Sequence, residues 1–398
     1  MPKRVNVSTP GPMLKLLLLL ARLELTEKQQ AAALALCTQV DDWPELARQA
    51  NQRFVLPLVY RHLRRLAPGN LPATQLDEIR QGSLSVVQLN LLVADAQRKL
   101  RDELLSPLEV PHAFFKGPSL AARYYDDPSL RFSRDIDLLV PPGRLVELLE
   151  RALNKGYVSL MPKGLTTDRE GLVYAAGAHH VFSLLSPEGV PIDLHQQIDV
   201  SGTIYTTQAL LDGAEPFVMG GAEIQVMPTE ELFVYICLHH TKHHWSHLHW
   251  LVDLDAIQRH PSFSLAASRQ LAARLKLAAT LEACLEMHRA LSDPEPDNVI
   301  ISNHGKELLD ACLMALQGGP EVELAMERMK TSPDFAFDWQ ASARDRLQGR
   351  MQGVVKLLRP NYADYRLWPL PARWQWIYRL TCPFQKLHSR ITTGRWRS

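Results

Sequence analysis

Apolar positions recur at helical spacing through most of residues 12–105, and again from Thr229 to about 318. Between these stretches lie shorter apolar runs with strand-like alternation. The first pattern marks amphipathic helices and the second half-buried strands. The N-terminal stretch predicts a turn at Val40-Asp41-Asp42, helices over Trp43 to Ala50 and Pro57 to Leu66, and a longer helix over 76–105. The leucine run at 16–20 is far short of the ~20 apolar residues of a membrane span, and Arg22, Glu24, Glu27 and Lys28 follow at once. It reads as one buried face of a helix, not as a targeting signal. Val110 to Phe115 reads as a short buried strand, Gly117-Pro118 as a turn into a helix ending near Tyr125, and Asp126 to Ser133 as a polar loop. Pro suits the first turn of a helix, where no donor is needed. Gly143 to Lys155 is an amphipathic helix stopped by Gly156. Residues 162–178 are polar and Gly-rich and predict a loop that could lie over a site. His179–Leu185 and Val190–His195 pair as a hairpin around Ser186-Pro187-Glu188-Gly189, and 216–227 form a second β pair turned at Gly220-Gly221. Thr229 is a helix cap with Glu230 and Glu231 at the positive end. Gly318-Gly319-Pro320 and Ser332-Pro333 make 318–336 looser. These elements divide the chain into an N-terminal helical region (1–107), an α/β core (108–228) and a C-terminal helical domain with a basic aromatic tail (229–398).

The chemistry concentrates in the run Arg134-Asp135-Ile136-Asp137-Leu138-Leu139-Val140. Strand alternation puts Asp135 and Asp137 on one face and Ile136 and Leu138 on the other. Two carboxylates there repel each other unless a cation sits between them, and hard divalent cations take oxygen ligands. Asp193, on the returning strand of the hairpin, is a lone acid between Ile192 and Leu194, and His195 shares its face. Such an acid needs a partner. A salt bridge is one answer; a triad with Asp135 and Asp137 is the one favoured here. Three acids on adjacent strands can hold two Mg²⁺ ions roughly 3.5–4 Å apart. Upstream, free N–H groups at the helix start near Gly117 favour an anion, and Lys116 adds positive charge. Arg131 and Arg134 flank the acids, either to neutralise them or to reach a triphosphate.

Phe115-Lys116-Gly117-Pro118-Ser119, Asp135-Ile136-Asp137-Leu138 and Ile192-Asp193-Leu194 together resemble nucleotidyltransferases of the DNA polymerase β-like superfamily. More narrowly the chain resembles a family of uncharacterised nucleotidyltransferases found in bacteria. That likeness also rests on Tyr124-Tyr125, Leu130-Arg131, Asp193-Leu194-His195, and Leu238-His239 leading to Trp250-Leu251-Val252-Asp253, and it runs through nearly the whole chain. It implies an α+β fold: a polymerase β-like core, with a mixed sheet and flanking helices, between helical N- and C-terminal regions. It implies transfer of a nucleoside monophosphate from an NTP such as ATP, with release of pyrophosphate and two Mg²⁺ ions as cofactors. Asp135, Asp137 and Asp193 would be catalytic and metal-binding. Lys116, Gly117, Ser119 and Arg131 would hold the nucleotide, and His195 and His239 would touch substrate. Pro118 stands where the superfamily usually has Gly or Ser. That departure supports a second reading, a non-catalytic nucleotide-binding or adaptor module on the same fold. The acceptor is not named by the sequence: a small molecule such as a sugar, a peptide, a protein and an RNA end all fit.

Composition narrows the classes. Lys plus Arg is 44 against 43 Asp plus Glu, a formal charge of +1, which gives no general pull toward nucleic acid. The five Cys are scattered without metal-type spacing and suit a reducing cytoplasm. His239, His240, His243, His244, His247 and His249 crowd what reads as one helix, with 239/243 and 240/244 on shared faces. The zinc-hydrolase helix needs Glu after its first His, and His240 stands there. Packing around Trp245 and Trp250 is the plainer role for the cluster. At the C-terminus, Arg373, Arg379, Lys386, Arg390, Arg395 and Arg397 interleave with Trp374, Trp376, Tyr378, Phe384 and Trp396, with no acid after Asp364. This tail is either an aromatic helix face packed on the domain or a peripheral contact with an anionic surface.

Overall fold

The structure, a computed structural model, describes residues 10–199, 204–295, 299–328 and 359–382, with 342, 344 and 347 between the last two. Along the chain run α1 (Pro12–Leu20), α2 (Glu27–Cys37), α3 (Trp43–Gln52), α4 (Leu56–Leu66), α5 (Ala73–Leu100), β1 (Ala113–Phe114), α6 (Gly117–Tyr124), β2 (Ile136–Leu139), α7 (Pro142–Asn154) and β3 (Val158–Met161). There follow α8 (Arg169–Ala178), β4 (Val181–Leu185), β5 (Pro191–His195), α9 (Thr207–Asp212), β6 (Glu215–Met219) and β7 (Ala222–Val226). The last are α10 (Thr229–Lys242), α11 (Leu248–Arg259), α12 (Leu265–Arg274), α13 (Ala278–Ser292), α14 (Asn303–Arg328) and α15 (Tyr362–Leu367). The fold is α+β, a mixed sheet among many helices. Two compact units emerge, each discontinuous in sequence. One takes Met1–Leu91, Leu120–Ser133 and Thr229–Ala343; the other takes Leu92–Ser119, Arg134–Pro228 and Arg344–Ser398.

The first unit is helical. Leu16 to Leu20 are all buried, so the second half of α1 is enclosed around its circumference and not on one face as expected, while Pro12 and Lys15 of its first half are exposed. Thr26 and Gln29 form a capping box at α2, and Asp42 accepts from Glu45 N at 2.8 Å to start α3. Thr229 opens α10, and its hydroxyl is tied to Tyr124 Oη at 3.1 Å. α14 continues through Gly318-Gly319-Pro320 to Arg328, where a looser stretch was expected. Its buried side, Leu308, Cys312, Ala315 and Leu316, packs with α13 and carries the helix past those breakers. Residues 329–336 lie outside the described residues. No helix among the described residues is long and apolar enough to cross a membrane.

The second unit holds a seven-stranded sheet in the order β3-β4-β5-β2-β1-β7-β6. β2 pairs with β5 and β1 with β7 in parallel; the other neighbours are antiparallel. Both hairpins read from the sequence, β4–β5 and β6–β7, are present. Ile136, Leu138, Phe182, Leu184, Ile192 and Leu194 are each 0% exposed and form the apolar face of the central strands. β1 is shorter than the strand expected over Val110 to Phe115, because Pro111 has no N–H to give a ladder.

Residues 162–178 contain α8, where a loop was expected. Asp168 caps the helix by accepting from Gly171 N at 2.8 Å. The C-terminal segment then docks on it: Tyr365 stacks on Tyr174 at 4.9 Å, and Tyr362 N donates to His179 Nε2 at 3.1 Å. Beyond α15 the indoles of Trp368, Trp374 and Trp376 are 57, 45 and 55% exposed, whereas Tyr378 is buried. Phe384, Lys386, Arg390, Arg395, Trp396 and Arg397 lie outside the described residues.

Candidate active site

The polar face of β2 and β5 builds the site. Parallel pairing sets Asp137 directly beside Asp193, and Leu139 beside His195. Residues of both strands with the same parity project together, so both acids and the imidazole share one face, opposite the apolar residues. The ligand atoms of Asp137, Asp193 and His195 all lie within 4.8 Å of one another. Among the described residues this is the group of three or more His, Cys, Asp or Glu side chains that converges closely enough to hold a metal ion. His195 Nε2 lies 3.1 Å from Asp137 Oδ1.

The turn before α6 delivers the rest. Gly117 has φ +61°, and a Cβ there would stand 2.6 Å from the Asp135 carbonyl oxygen. Glycine is therefore demanded by the close approach of two backbone segments, which sets the turn against the start of β2. Ser119 Oγ donates to Lys116 O at 2.9 Å and ties the turn to the first turn of the helix. The turn aims Lys116 inward: its ammonium lies 3.9 Å from Asp137 Oδ1 and 5.6 Å from the Phe115 ring centroid.

The electrostatics are those of a cation site. Burial first, then the Asp137 charge, pushes the Asp135 carboxyl up from 3.8 to about 6; Lys116 and Arg134 pull the other way. Asp193 is also raised, by burial and then by Asp137, against a hydrogen bond from Ser183 and the influence of His195 and Lys116. Asp137 thus meets the nearly buried Lys116 ammonium, whose charge also acts on Asp135 and Asp193, while Asp135 stands outside the three residues whose ligand atoms converge. Hard oxygen donors in negative excess are what a divalent cation requires, so the donor set fits one.

The sequence-predicted residues separate into two groups. Asp135, Asp137, Asp193, His195, Lys116, Gly117 and Ser119 all belong to the sheet-bearing unit. Arg131 belongs to the helical unit, where its guanidinium grips Asp253 at 2.8 and 2.9 Å and donates to Ser133 Oγ at 3.1 Å. Tyr125 Oη completes this buried cluster, donating to Asp253 at 2.7 Å. The nucleotide contact expected of Arg131 has given way to an internal ion pair. Asn90 fixes the same loop, accepting from Ser133 N and donating to Arg131 O, each at 2.9 Å.

His239 is half-buried on α10, with Nδ1 3.2 Å from Tyr235 Oη. The histidine cluster does not occupy one helix. α10 ends at Lys242, and His244 and Trp245 turn the chain with φ of 54° and 52° before α11 begins at Leu248. His240 stacks on Trp250 at 4.1 Å, a packing role.

Two features escaped the sequence reading. Ser183 stands across from Asp193 and hydrogen-bonds to it. Counting outward from the Ser186–Val190 turn would have paired them. His195, from which a substrate contact was expected, also lies among the possible metal ligands. Its position two residues from Asp193 on one strand face carried that signal.

No curated protein matches the chain. A family model does: residues 39–293 match the one described as an uncharacterised nucleotidyltransferase, and that span exceeds half the chain. With Asp137 and Asp193 held in register on one face of a mixed sheet, beside a glycine turn and an inward lysine, the chain belongs to this uncharacterised nucleotidyltransferase family.

Proposed function

We propose that the protein transfers a nucleoside monophosphate from an NTP to an acceptor hydroxyl and releases pyrophosphate. Asp135, Asp137 and Asp193 would hold two divalent cations, Mg²⁺ by the resemblance to polymerase β-like enzymes. The observation that carries this reading is the in-register pair Asp137–Asp193 with Lys116 beside it. When bound, the cations offset triphosphate charge and lower the pKa of the attacking hydroxyl. Lys116 is a counter-ion of Asp137 and, with Asp137 engaged in holding a cation, its ammonium would serve the triphosphate. Asp193, its carboxyl already held above the usual range by burial and Asp137, accepts the acceptor proton. Ser119 and Gly117 hold the turn that presents Lys116 and the N-terminus of α6. Arg131 acts through Asp253 to hold the loop before Asp135. Residues 108–228 form the catalytic core in this reading, with 1–107 and 229–398 as its flanking regions.

We place the enzyme in the cytoplasm, on the support of its five cysteines, which are buried thiols. The exposed indoles at 368–376, with the basic residues around them, are proposed as a peripheral contact with an anionic surface.

The test is incubation with each α-labelled NTP and Mg²⁺ or Mn²⁺ across an acceptor screen, reading label transfer and pyrophosphate. Transfer lost in Asp137→Asn is the expected result. Metal-dependent NTP binding without product in any acceptor would favour the non-catalytic module. Absence of metal-dependent NTP binding would overturn both readings.

A further inference from the structure

A divalent-cation site in this fold needs only oxygen donors, and Mg²⁺ takes oxygen almost exclusively. The chain nevertheless directs an imidazole into the same cluster. His195 is 8% exposed, and Nε2 is as close to Asp137 as a direct hydrogen bond, 3.1 Å. The ring is fixed. β5 holds its backbone between β4 and β2, with His195 O accepting from Val140 N at 2.9 Å, and Phe115 packs edge-on at a centroid distance of 5.0 Å. The ring cannot turn out to meet substrate without breaking this packing.

A role as the site's positive charge is already filled by Lys116. An anchor for Asp137 alone would not need to lie near Asp193 as well, yet the ligand atoms of Asp137, Asp193 and His195 converge within 4.8 Å of one another. His195 Nδ1 is buried and has no hydrogen-bond partner. With no cation bound, Nε2–H donates to the Asp137 carboxylate, which can only accept. A cation would displace that proton, which can pass to Nδ1 without breaking a hydrogen bond, and the freed Nε2 lone pair would face the space shared with Asp137 and Asp193. Imidazole nitrogen discriminates among metals: it favours first-row transition dications over Mg²⁺.

We infer that His195 is a metal ligand, and that Asp137, Asp193 and His195 form a mixed nitrogen–oxygen site selective for a first-row transition dication. The all-oxygen position served by Asp135 and Asp137 keeps Mg²⁺. Asp137 is common to both, so the two positions are chemically unequal. This inference rests on the metal-site reading above and adds the identity of one ion's class to it.

The probe is Mn²⁺, which occupies all-oxygen and mixed sites alike and so reports the ligand and not merely the metal. Pulsed EPR on the full-length protein with one equivalent of Mn²⁺ should show a directly bound histidine nitrogen, whose coupling changes with ¹⁵N-histidine labelling. In His195→Gln the coupling should vanish. Mn²⁺ affinity should fall at least ~10-fold, as loss of a metal-site group typically causes, while Mg²⁺ affinity moves less than about threefold, because an oxygen-seeking ion loses no preferred donor. Tight Mn²⁺ binding without nitrogen coupling in the unaltered protein would overturn the ligand assignment and leave the carboxylate site standing. No bound Mn²⁺ at millimolar concentration would remove the metal site itself, and this inference with it. The measurement on the unaltered protein decides the matter even if the variant folds poorly.

Discussion

Replacing Asp137 with Asn should reverse sign with metal. The amide keeps an oxygen to meet His195 but removes the charge that disturbs both neighbouring acids. Holding Asp135 at about 6 instead of 3.8 corresponds to roughly 3 kcal/mol of unfavourable ionisation at neutral pH. Asp137 is the second cause after burial, so its removal should return on the order of 1 kcal/mol. Asp193 gains in the same direction. Against this stands the loss of one ion pair with Lys116 at 3.9 Å. In EDTA at pH 7.5 the variant should therefore unfold at the same urea concentration as the parent or a slightly higher one. With Mn²⁺ at about a hundred times its Kd, the parent should gain about 2.7 kcal/mol and the variant little. The two curves should cross between the metal-free and metal-bound conditions. If Asp137 were instead a structural partner of Lys116, its loss would cost about 3–5 kcal/mol in EDTA. A variant destabilised by that amount without metal would refute the reasoning.

Other predictions follow from individual contacts. Protons compete with the cation, so Mn²⁺ affinity measured by EPR titration should fall as pH drops below about 6, the value for Asp135, by about tenfold per pH unit for each proton displaced. Stability in EDTA runs the opposite way: a carboxyl raised in the folded state stabilises fully below 3.8, and that contribution is lost as pH rises through about 6. Gly117→Ala meets the Asp135 carbonyl at 2.6 Å at a left-handed φ, so it should destabilise by about 1–3 kcal/mol in urea melts and weaken Mn²⁺ binding through displaced Asp135. Arg131→Met leaves Asp253 buried and uncompensated and should cost about 3–5 kcal/mol; intact stability with lost NTP affinity would return Arg131 to the nucleotide. Trp374→Ala with Trp376→Ala should abolish co-sedimentation with anionic vesicles, and equal binding to neutral vesicles would contradict an electrostatic contact.

Local signals in the sequence were read correctly where chemistry and period coincide. Alternation set Asp137 and Asp193 apart from their apolar neighbours, and turn residues placed both hairpins. What stayed hidden was long-range. Nothing near Arg131 announces that its partner is Asp253, which lies on α11. Nothing in Lys116-Gly117 says that the glycine is needed against the Asp135 carbonyl, because that approach exists only once β2 is paired. Residues 162–178 read as a loop because Gly171 and Gly177 weaken a helix; yet at Gly171 a Cβ would stand 3.3 Å from the Tyr365 ring. The glycine that lowers helix propensity admits the tyrosines of α15, and tertiary packing overrides propensity there. The histidine run was misplaced for a related reason: left-handed His244 and Trp245 end the helix, and no Gly marks them.

The central strands separate what folds the protein from what it does. Ile136, Leu138, Ile192 and Leu194 are fully buried on one face and account for the pairing of β2 with β5. The other face sets Asp137 beside Asp193, whose cost of ionisation is raised by burial and by the Asp137 charge. Selection for stability alone would favour apolar side chains there, since a buried charged cluster is often improved by hydrophobic replacement. Local rules are broken in this way mainly where function requires it. The apolar face supplies the stability that lets the opposite face keep an unfavourable charge arrangement, one that the cations proposed above would make favourable. A sheet whose two faces are so unequal in the metal-free state is organised around what binds to it.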